Sequence, residues 1–276
     1  MGAPRERKSI AVNRFLANLG LTGREDVDGD TDMLTDITAD TPKPLPQWRL
    51  SLPNRPLTGL TVLVIEDSRF ASEAVRLLCL KSGARIRRAD CLRSAARHLR
   101  SYRPAVVVID LGLPDGDGVA LIAELHAAEL RVPVILAMSG DPDRASEALA
   151  AGADGFLPKP VESLAVFQQA ILRVLPADTG AMTLRALPDD VIQPDPSGLR
   201  DDLAHVAEVL SSAHDTTEID YIARFLAGVA RSAHDPALEA AATALARDYN
   251  AGHALATDLA RISGMVQDRL SRVAEM

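Results

Sequence analysis

The sequence predicts a doubly wound α/β domain with a five-stranded parallel sheet, followed by an all-α helical bundle. Three observations carry this. From Thr61 onward, short apolar runs alternate with helix-periodic stretches five times over, the pattern of a βα-repeating parallel sheet. Pro176, Pro188, Pro194 and Pro196 then interrupt the periodicity. Beyond them the chain turns Ala- and Leu-rich with helical spacing as far as Val273. The strands fall at residues 62–65, 85–88, 105–109, 134–138 and 155–157, with helices in the gaps. Four further helices fall at about 198–213, 217–233, 236–249 and 253–273, separated at Ser211-Ser212, Asp235-Pro236 and Gly252. The expected division is an N-terminal arm (1–57), the α/β domain (58–176), a linker (177–196) and a bundle (197–276).

Composition narrows the function. With 47% apolar residues among 276, the chain can bury a sizeable core. Aromatic residues make up only 3%, and 30 Lys and Arg face 38 Asp and Glu for a net charge of -8. Both counts argue against a nucleic-acid binder built on basic grooves and stacking platforms. Cys79 and Cys91 make neither a disulfide framework nor a zinc site, which fits a reducing, cytoplasmic compartment. No run of 18 apolar residues exists, so no membrane span is expected. In the arm, Ile10, Val12, Phe15, Leu16 and Leu19 suit a short amphipathic docking peptide. The following Asp26, Asp28, Asp30 and Asp32 lack the Gly and Glu of a calcium loop, having Thr31 and Ile37 there, and read as a solvated acidic linker.

In a doubly wound sheet, ligands bind outside the carboxyl ends of the strands. Strand one ends in Glu66-Asp67, strand three in Asp110 and strand four in Ser139, and strand five leads into Lys159. Three carboxylates held together repel, and a hard divalent cation relieves the repulsion; Mg2+ suits such a site because it takes few carboxylates and leaves positions for phosphate oxygens. Asp110, at the end of the most apolar strand and before a Gly- and Pro-containing loop, is the candidate nucleophile for an acyl phosphate. Lys159 supplies a second cation, and Ser139 a donor to a phosphoryl oxygen.

The elements Val64-Ile65-Glu66-Asp67-Ser68, Ile109 to Gly116, Ser139-Gly140 and Gly155-Phe156-Leu157-Pro158-Lys159-Pro160 resemble the receiver domain of two-component response regulators. Their order and separations match: 43 residues from Asp67 to Asp110, 29 on to Ser139 and 20 on to Lys159. The resemblance covers about residues 58–176 and implies a flavodoxin-like fold with strand order 2-1-3-4-5. It implies that Asp110 is the phosphoacceptor, and that Glu66 and Asp67, with Asp110 and the Gly112 carbonyl, hold Mg2+. Ser139 and Phe156 are implied to be the switch pair, with Ser in place of the commoner Thr and Phe in place of the frequent Tyr. The implied phosphodonor is a sensor histidine kinase or a phosphotransfer protein, and the implied role is that of a switch rather than a metabolic enzyme. Gly112 and Asp141 flank the site and leave it accessible to water.

Residues 186–276 carry fifteen acids and seven arginines, which does not suit a DNA-reading domain. Within them, Ala223-Arg224-Phe225-Leu226-Ala227-Gly228-Val229-Ala230 resembles the histidine-phosphotransfer motif with Arg224 in place of the histidine and Ala227 in place of the lysine. A guanidinium stays protonated and cannot act as the nucleophile, so the bundle is expected to be catalytically silent. His205, His214, His234 and His253 are read as ordinary surface or half-buried residues, and Tyr221, Phe225, Leu226 and Val229 as core. The expected output is a downstream protein contact or self-association through the helices. Two alternatives stand beside it: a phosphorelay intermediate passing phosphate between His and Asp, and a scaffold indifferent to phosphorylation.

Overall fold

The computed structural model describes residues 55–175, 190–212 and 216–274. The docking-peptide and acidic-linker expectations for the arm, and His214, lie outside these residues.

Five parallel strands form the sheet: β1 (Thr61–Ile65), β2 (Arg85–Ala89), β3 (Val106–Asp110), β4 (Val134–Ser139) and β5 (Gly155–Pro158), in the order β2-β1-β3-β4-β5. This is the flavodoxin-like order, and each strand lies within two residues of its predicted bounds. The helices between them are α1 (Arg69–Ser82), α2 (Leu92–Ser101), α3 (Gly118–Ala127), α4 (Ala145–Ala150) and α5 (Leu164–Leu172). Strand side chains alternate between two cores. Val62, Val64, Val106, Val108, Leu136 and Met138 pack against Val75 and Leu78 of α1 and Phe167 and Ile171 of α5. Leu63, Ile65, Val107, Ile109, Ile135 and Ala137 face Ala95 of α2, Leu121, Ile122 and Leu125 of α3, and Ala148 of α4. Burial on both faces is why β3 reads as an unbroken apolar run, with each valine contributing about 1.5–3 kcal/mol of transfer free energy.

α1 begins at Ser68, whose side chain accepts from the Ala71 N–H, and ends at Gly83 in the left-handed conformation (φ 82°). On α3, Glu124 breaks the apolar face. It is 8% exposed, its Oε2 has no hydrogen-bond partner, and burial pushes its carboxyl from about 4.5 up to about 7. An acid whose folded pKa lies above its unfolded value binds more protons in the native state, so stability falls as pH rises from about 4.5 through 7. Glu124→Gln is therefore expected to raise unfolding stability by about 1–2 kcal/mol at pH 8, after discounting for residual solvent, and by much less at pH 5. Urea melts of both proteins at the two pH values measure this.

The C-terminal helices α6 (Pro196–Ser212), α7 (Thr216–Ser232), α8 (Pro236–Asn250) and α9 (Ala256–Ala274) form a four-helix bundle around Leu203, Val206, Ile222, Leu226, Leu245, Ile262 and Val266. Leu226 and Val229 are buried as expected, while Tyr221 and Phe225 pack partly buried at its edge. None of the described helices is long and apolar enough to cross a membrane.

Two domain edges differ from the expectation. Leu57, assigned to the arm, is fully buried, with its N–H on the Ser82 carbonyl. At the other edge, Val191 bridges to Ser163, the Ile192 N–H donates to the Glu162 carbonyl, and Ile192 enters the core beside α5. The backbone bonds seat this part of the predicted linker on the α/β domain, and α6 starts at Pro196.

Candidate phosphoacceptor site

The parallel winding puts the C-terminal ends of β1, β3, β4 and β5 along one edge of the sheet. Glu66 and Asp67 follow β1, Asp110 ends β3, Ser139 ends β4 and Lys159 follows β5, so all five predicted polar residues come to this edge. Carboxylate oxygens of Glu66, Asp67 and Asp110 all lie within 4.8 Å of one another. The Lys159 Nζ sits 2.7 Å from Glu66 Oε2 and 2.9 Å from Asp110 Oδ1, with side-chain exposures of 8% for Lys159, 0% for Glu66 and 9% for Asp110.

Local structure fixes each group. The Ser68 N–H donates to Glu66 Oε1 (3.1 Å) and Asp67 Oδ1 (3.0 Å), so one amide gathers both carboxylates at the head of α1. Behind Asp110 the chain turns through Gly112–Leu113 and Gly116–Asp117, which pair as a small hairpin, and returns over the strand end. At Gly118 a Cβ would lie 2.1 Å from the Asp110 carbonyl oxygen, so glycine there permits the return. Gly112, the other predicted ligand, lies in this turn. The Lys159 N–H donates to the Ser139 carbonyl, and the Lys159-Pro160 peptide is cis. The Ser139 Oγ accepts from the Asp141 N–H, leaving its own proton available to another acceptor. Phe156 is half-buried against the core that Ala148 of α4 also enters.

Burial first, and the neighbouring acids after it, raise the Glu66 carboxyl well above the usual range against the opposing pull of Lys159. Burial and Asp110 raise Asp67 to about 6. Burial alone would lower the Lys159 ammonium, but Asp110 and Glu66 outweigh it and hold its pKa above the ordinary value. Three acids against one ammonium leave the cluster short of positive charge. Glu66 Oε2 is buried and rests on its ionic contact with Lys159, 2.7 Å away. A hard dication fits such an all-oxygen set.

Two residues that touch this site were not read from the sequence as part of it. The Tyr221 hydroxyl on α7 donates to Asp67 Oδ2 at 2.7 Å. Asp202 on α6 accepts from the Ser68 hydroxyl (2.7 Å), the Arg69 N–H (2.9 Å) and the Phe70 N–H (3.0 Å). Gly112 and Asp141 beside the site are exposed, while Asp110 itself is 6% exposed and α7 meets the cluster at Asp67.

Residues 62–171 match the response regulator receiver domain family. This segment is a receiver domain. Curated relatives include the virulence transcriptional regulatory protein PhoP of Salmonella typhimurium, 32% identical over 118 residues, which are 41% of this chain and 52% of PhoP. The transcriptional regulatory protein PhoP of Escherichia coli O157:H7 is 29% identical over the same share. The chain thus spans about half the length of the curated relatives it matches. Among solved structures, a putative response regulator from Chloroflexus aurantiacus is 28% identical, covering 42% of this chain and 93% of its own, with a TM-score of 0.37. The receiver domain of a sensor histidine kinase from Pseudomonas aeruginosa, solved with magnesium coordinated in its active-site cleft, is 26% identical, covering 42% and 98%, with a TM-score of 0.38. The acidic cluster and Lys159 lie within the matched segment, and the helices beyond residue 171 lie outside it.

Proposed function

We propose that the protein is a response regulator whose Asp110 accepts a phosphoryl group from a sensor histidine kinase or a phosphotransfer protein, in a reaction that requires Mg2+. The observation that supports this most directly is the buried set at the end of β3, in which one ammonium serves two carboxylates and leaves room for further positive charge. Glu66, Asp67, Asp110 and the Gly112 carbonyl would hold the ion, which offsets charge on the incoming phosphoryl group. A carboxylate oxygen of Asp110 attacks phosphorus, the bond from phosphorus to the donor breaks, and its electron pair leaves with the donor. Lys159, kept protonated by its two partners, offsets the charge that develops, and the Ser139 hydroxyl donates to a phosphoryl oxygen. Drawing Ser139 toward the phosphoryl group frees space for Phe156 to turn inward, which changes the surface around α4, β5 and α5.

The output is protein contact rather than chemistry, so the chain is a switch and not a metabolic enzyme. PhoP is by name a transcriptional regulator, but the acidic C-terminal segment here does not suit nucleic acid. Partners downstream, or a second copy, would meet the helices. Among the described residues of the bundle, Arg224 pairs with Asp220, and His205, His234 and His253 contact Phe225, Glu162 and Asp248, which supports a bundle silent in phosphotransfer. The free Cys79 and Cys91 suit a reducing cytoplasm. Incubating the protein with acetyl phosphate and Mg2+ is expected to add about 80 Da, one phosphoryl group in place of a proton, in intact-mass spectra. Chelating Mg2+ should suppress the adduct, and no adduct with Mg2+ present would overturn the proposal.

A further inference from the structure

The helical bundle touches the receiver on several of the loops that surround Asp110. At the β1-α1 junction, Asp202 takes up the Ser68 hydroxyl and the first two amides of α1, donors that no helix satisfies internally. Asp202 is 3% exposed, and a negative charge there also opposes the positive end of the helix dipole. Arg69 adds a surface pair to Asp201 at 2.7 Å. After β4, the Arg231 guanidinium lies against Gly140, where a Cβ would clash with it. After β5, His234 bonds Glu162 at 2.8 Å. Between these contacts the Tyr221 hydroxyl reaches Asp67.

The arrangement is directional. Tyr221 has its ring centroid 5.9 Å from that of Phe225 on the bundle and places its hydroxyl on the receiver. Its acceptor, Asp67 Oδ2, belongs to one of the three carboxylates that a dication would gather. A donor molecule must reach Asp110, which is 6% exposed, through the loops that the bundle touches. Beside these polar contacts α6 packs closely on the start of α1, where Gly198 lies against the Phe70 backbone, while Leu203, Leu226 and Ile262 face inward, so parting the two domains leaves the bundle core closed. Contacts between domains of one chain commonly permit relative motion, and here the charged and hydroxyl groups sit at the ends of the receiver loops.

We propose that the bundle is a displaceable cover over the phosphoacceptor, latched by Tyr221 on Asp67 and by Asp202 on the first turn of α1, and that phosphodonors reach Asp110 only when the latch releases. Tyr221 is then a positioning residue: it holds a metal-binding carboxylate in the closed form and takes no part in phosphoryl transfer. The inference rests on the reading of Asp110 as the acceptor.

The test uses the full chain and two readouts. Tyr221→Phe keeps the ring and removes the donor; Asp202→Asn keeps the shape and removes the charge. In metal-free buffer, each is expected to speed hydrogen exchange at the Arg69 and Phe70 amides by about tenfold, the size of one lost charge-assisted hydrogen bond. With acetyl phosphate and Mg2+, each should raise the initial rate of adduct formation several-fold, and the double variant further. Arg247→Ala, on the exposed Arg247–Asp248 pair, should change neither. Unchanged exchange in both latch variants would overturn the cover, whatever the adduct rate. Adduct formation at or below the wild-type rate in both would overturn it as well, while leaving Asp110 as acceptor intact. Absence of adduct in every protein, wild type included, would remove the phosphoacceptor reading and with it the gating claim, even where exchange shows a seam that opens.

Discussion

Asp110→Asn is expected to form no acyl phosphate, a loss of at least about a thousandfold in adduct yield, while folding as well as the wild type. An amide is neutral and conjugated, so it offers phosphorus no anionic oxygen, and none of the neighbours can substitute. Glu66 is fully buried under Lys159, and Asp67 is occupied by the Ser68 amide and Tyr221. The stability half of the prediction follows from charge. Three carboxylates face one buried ammonium, and Asp110 is among the causes that raise both Glu66 and Asp67. Removing its charge lowers this repulsion while Glu66 still holds Lys159 at 2.7 Å. In metal-free buffer at pH 7.5 the variant should melt no lower than the wild type, and added Mg2+ should stabilise it less. Intact mass and thermal melts together check both halves. A folded variant that still gains about 80 Da would move the acceptor to another residue.

Lys159→Met is expected to have the largest effect on stability. The methionine fills a similar volume but leaves Glu66 and Asp110 buried without their shared cation. Breaking a buried ion pair from one side costs about 3–5 kcal/mol, because the remaining charge is neither solvated nor paired. The cost depends on the carboxylates being ionised. Glu66 and Asp67 already sit above the usual range with Lys159 present, and without it their protonation becomes easier still. The gap between wild type and variant should therefore be widest above about pH 7 and shrink as pH falls toward 5, where uptake of protons replaces the lost ammonium. Mg2+ should narrow the gap for the same electrostatic reason. Urea melts at pH 5 and 8, with EDTA or with Mg2+, measure all four corners. A gap that stays constant across them would mean that Lys159 acts through packing and not through charge. Adduct formation should fall steeply in the same variant, since the developing phosphoryl charge loses its fixed cation.

The five polar residues of the site were legible because of a rule of topology. In a parallel sheet wound by right-handed crossovers, residues that follow each apolar run share one edge however far apart they lie in sequence. Thus Glu66, Asp67, Asp110, Ser139 and Lys159 could be grouped from their positions after apolar runs alone, and the structure brings them together. Tyr221 shows where that kind of reading stops. Its spacing with Phe225 and Val229 marks it as a residue of the bundle's apolar face, and its ring is indeed there. Its hydroxyl bonds a residue 154 positions away, and helical periodicity carries no information about which surface a bundle docks against. Asp201 and Asp202 lie side by side on α6. Only the docking of α6 on α1 turns Asp202 into a buried acceptor of three donors. A Tyr hydroxyl and a carboxylate within a mostly apolar helix face were the signals available, and neither names its partner.

The same division holds for the chain as a whole. Apolar alternation, helix periods and strand-end chemistry are local or follow from winding rules, so the sequence by itself determined the five-stranded sheet, the four helices that follow and the acidic cluster with its lysine. The tertiary structure decided that Ile192 completes the receiver core, that Leu57 belongs to it, and that the bundle meets the acidic cluster at Asp67. Those outcomes depend on the complementarity of two surfaces folded from distant segments, where a few hydrogen bonds of fixed geometry select one docking arrangement among many that share the same patterns.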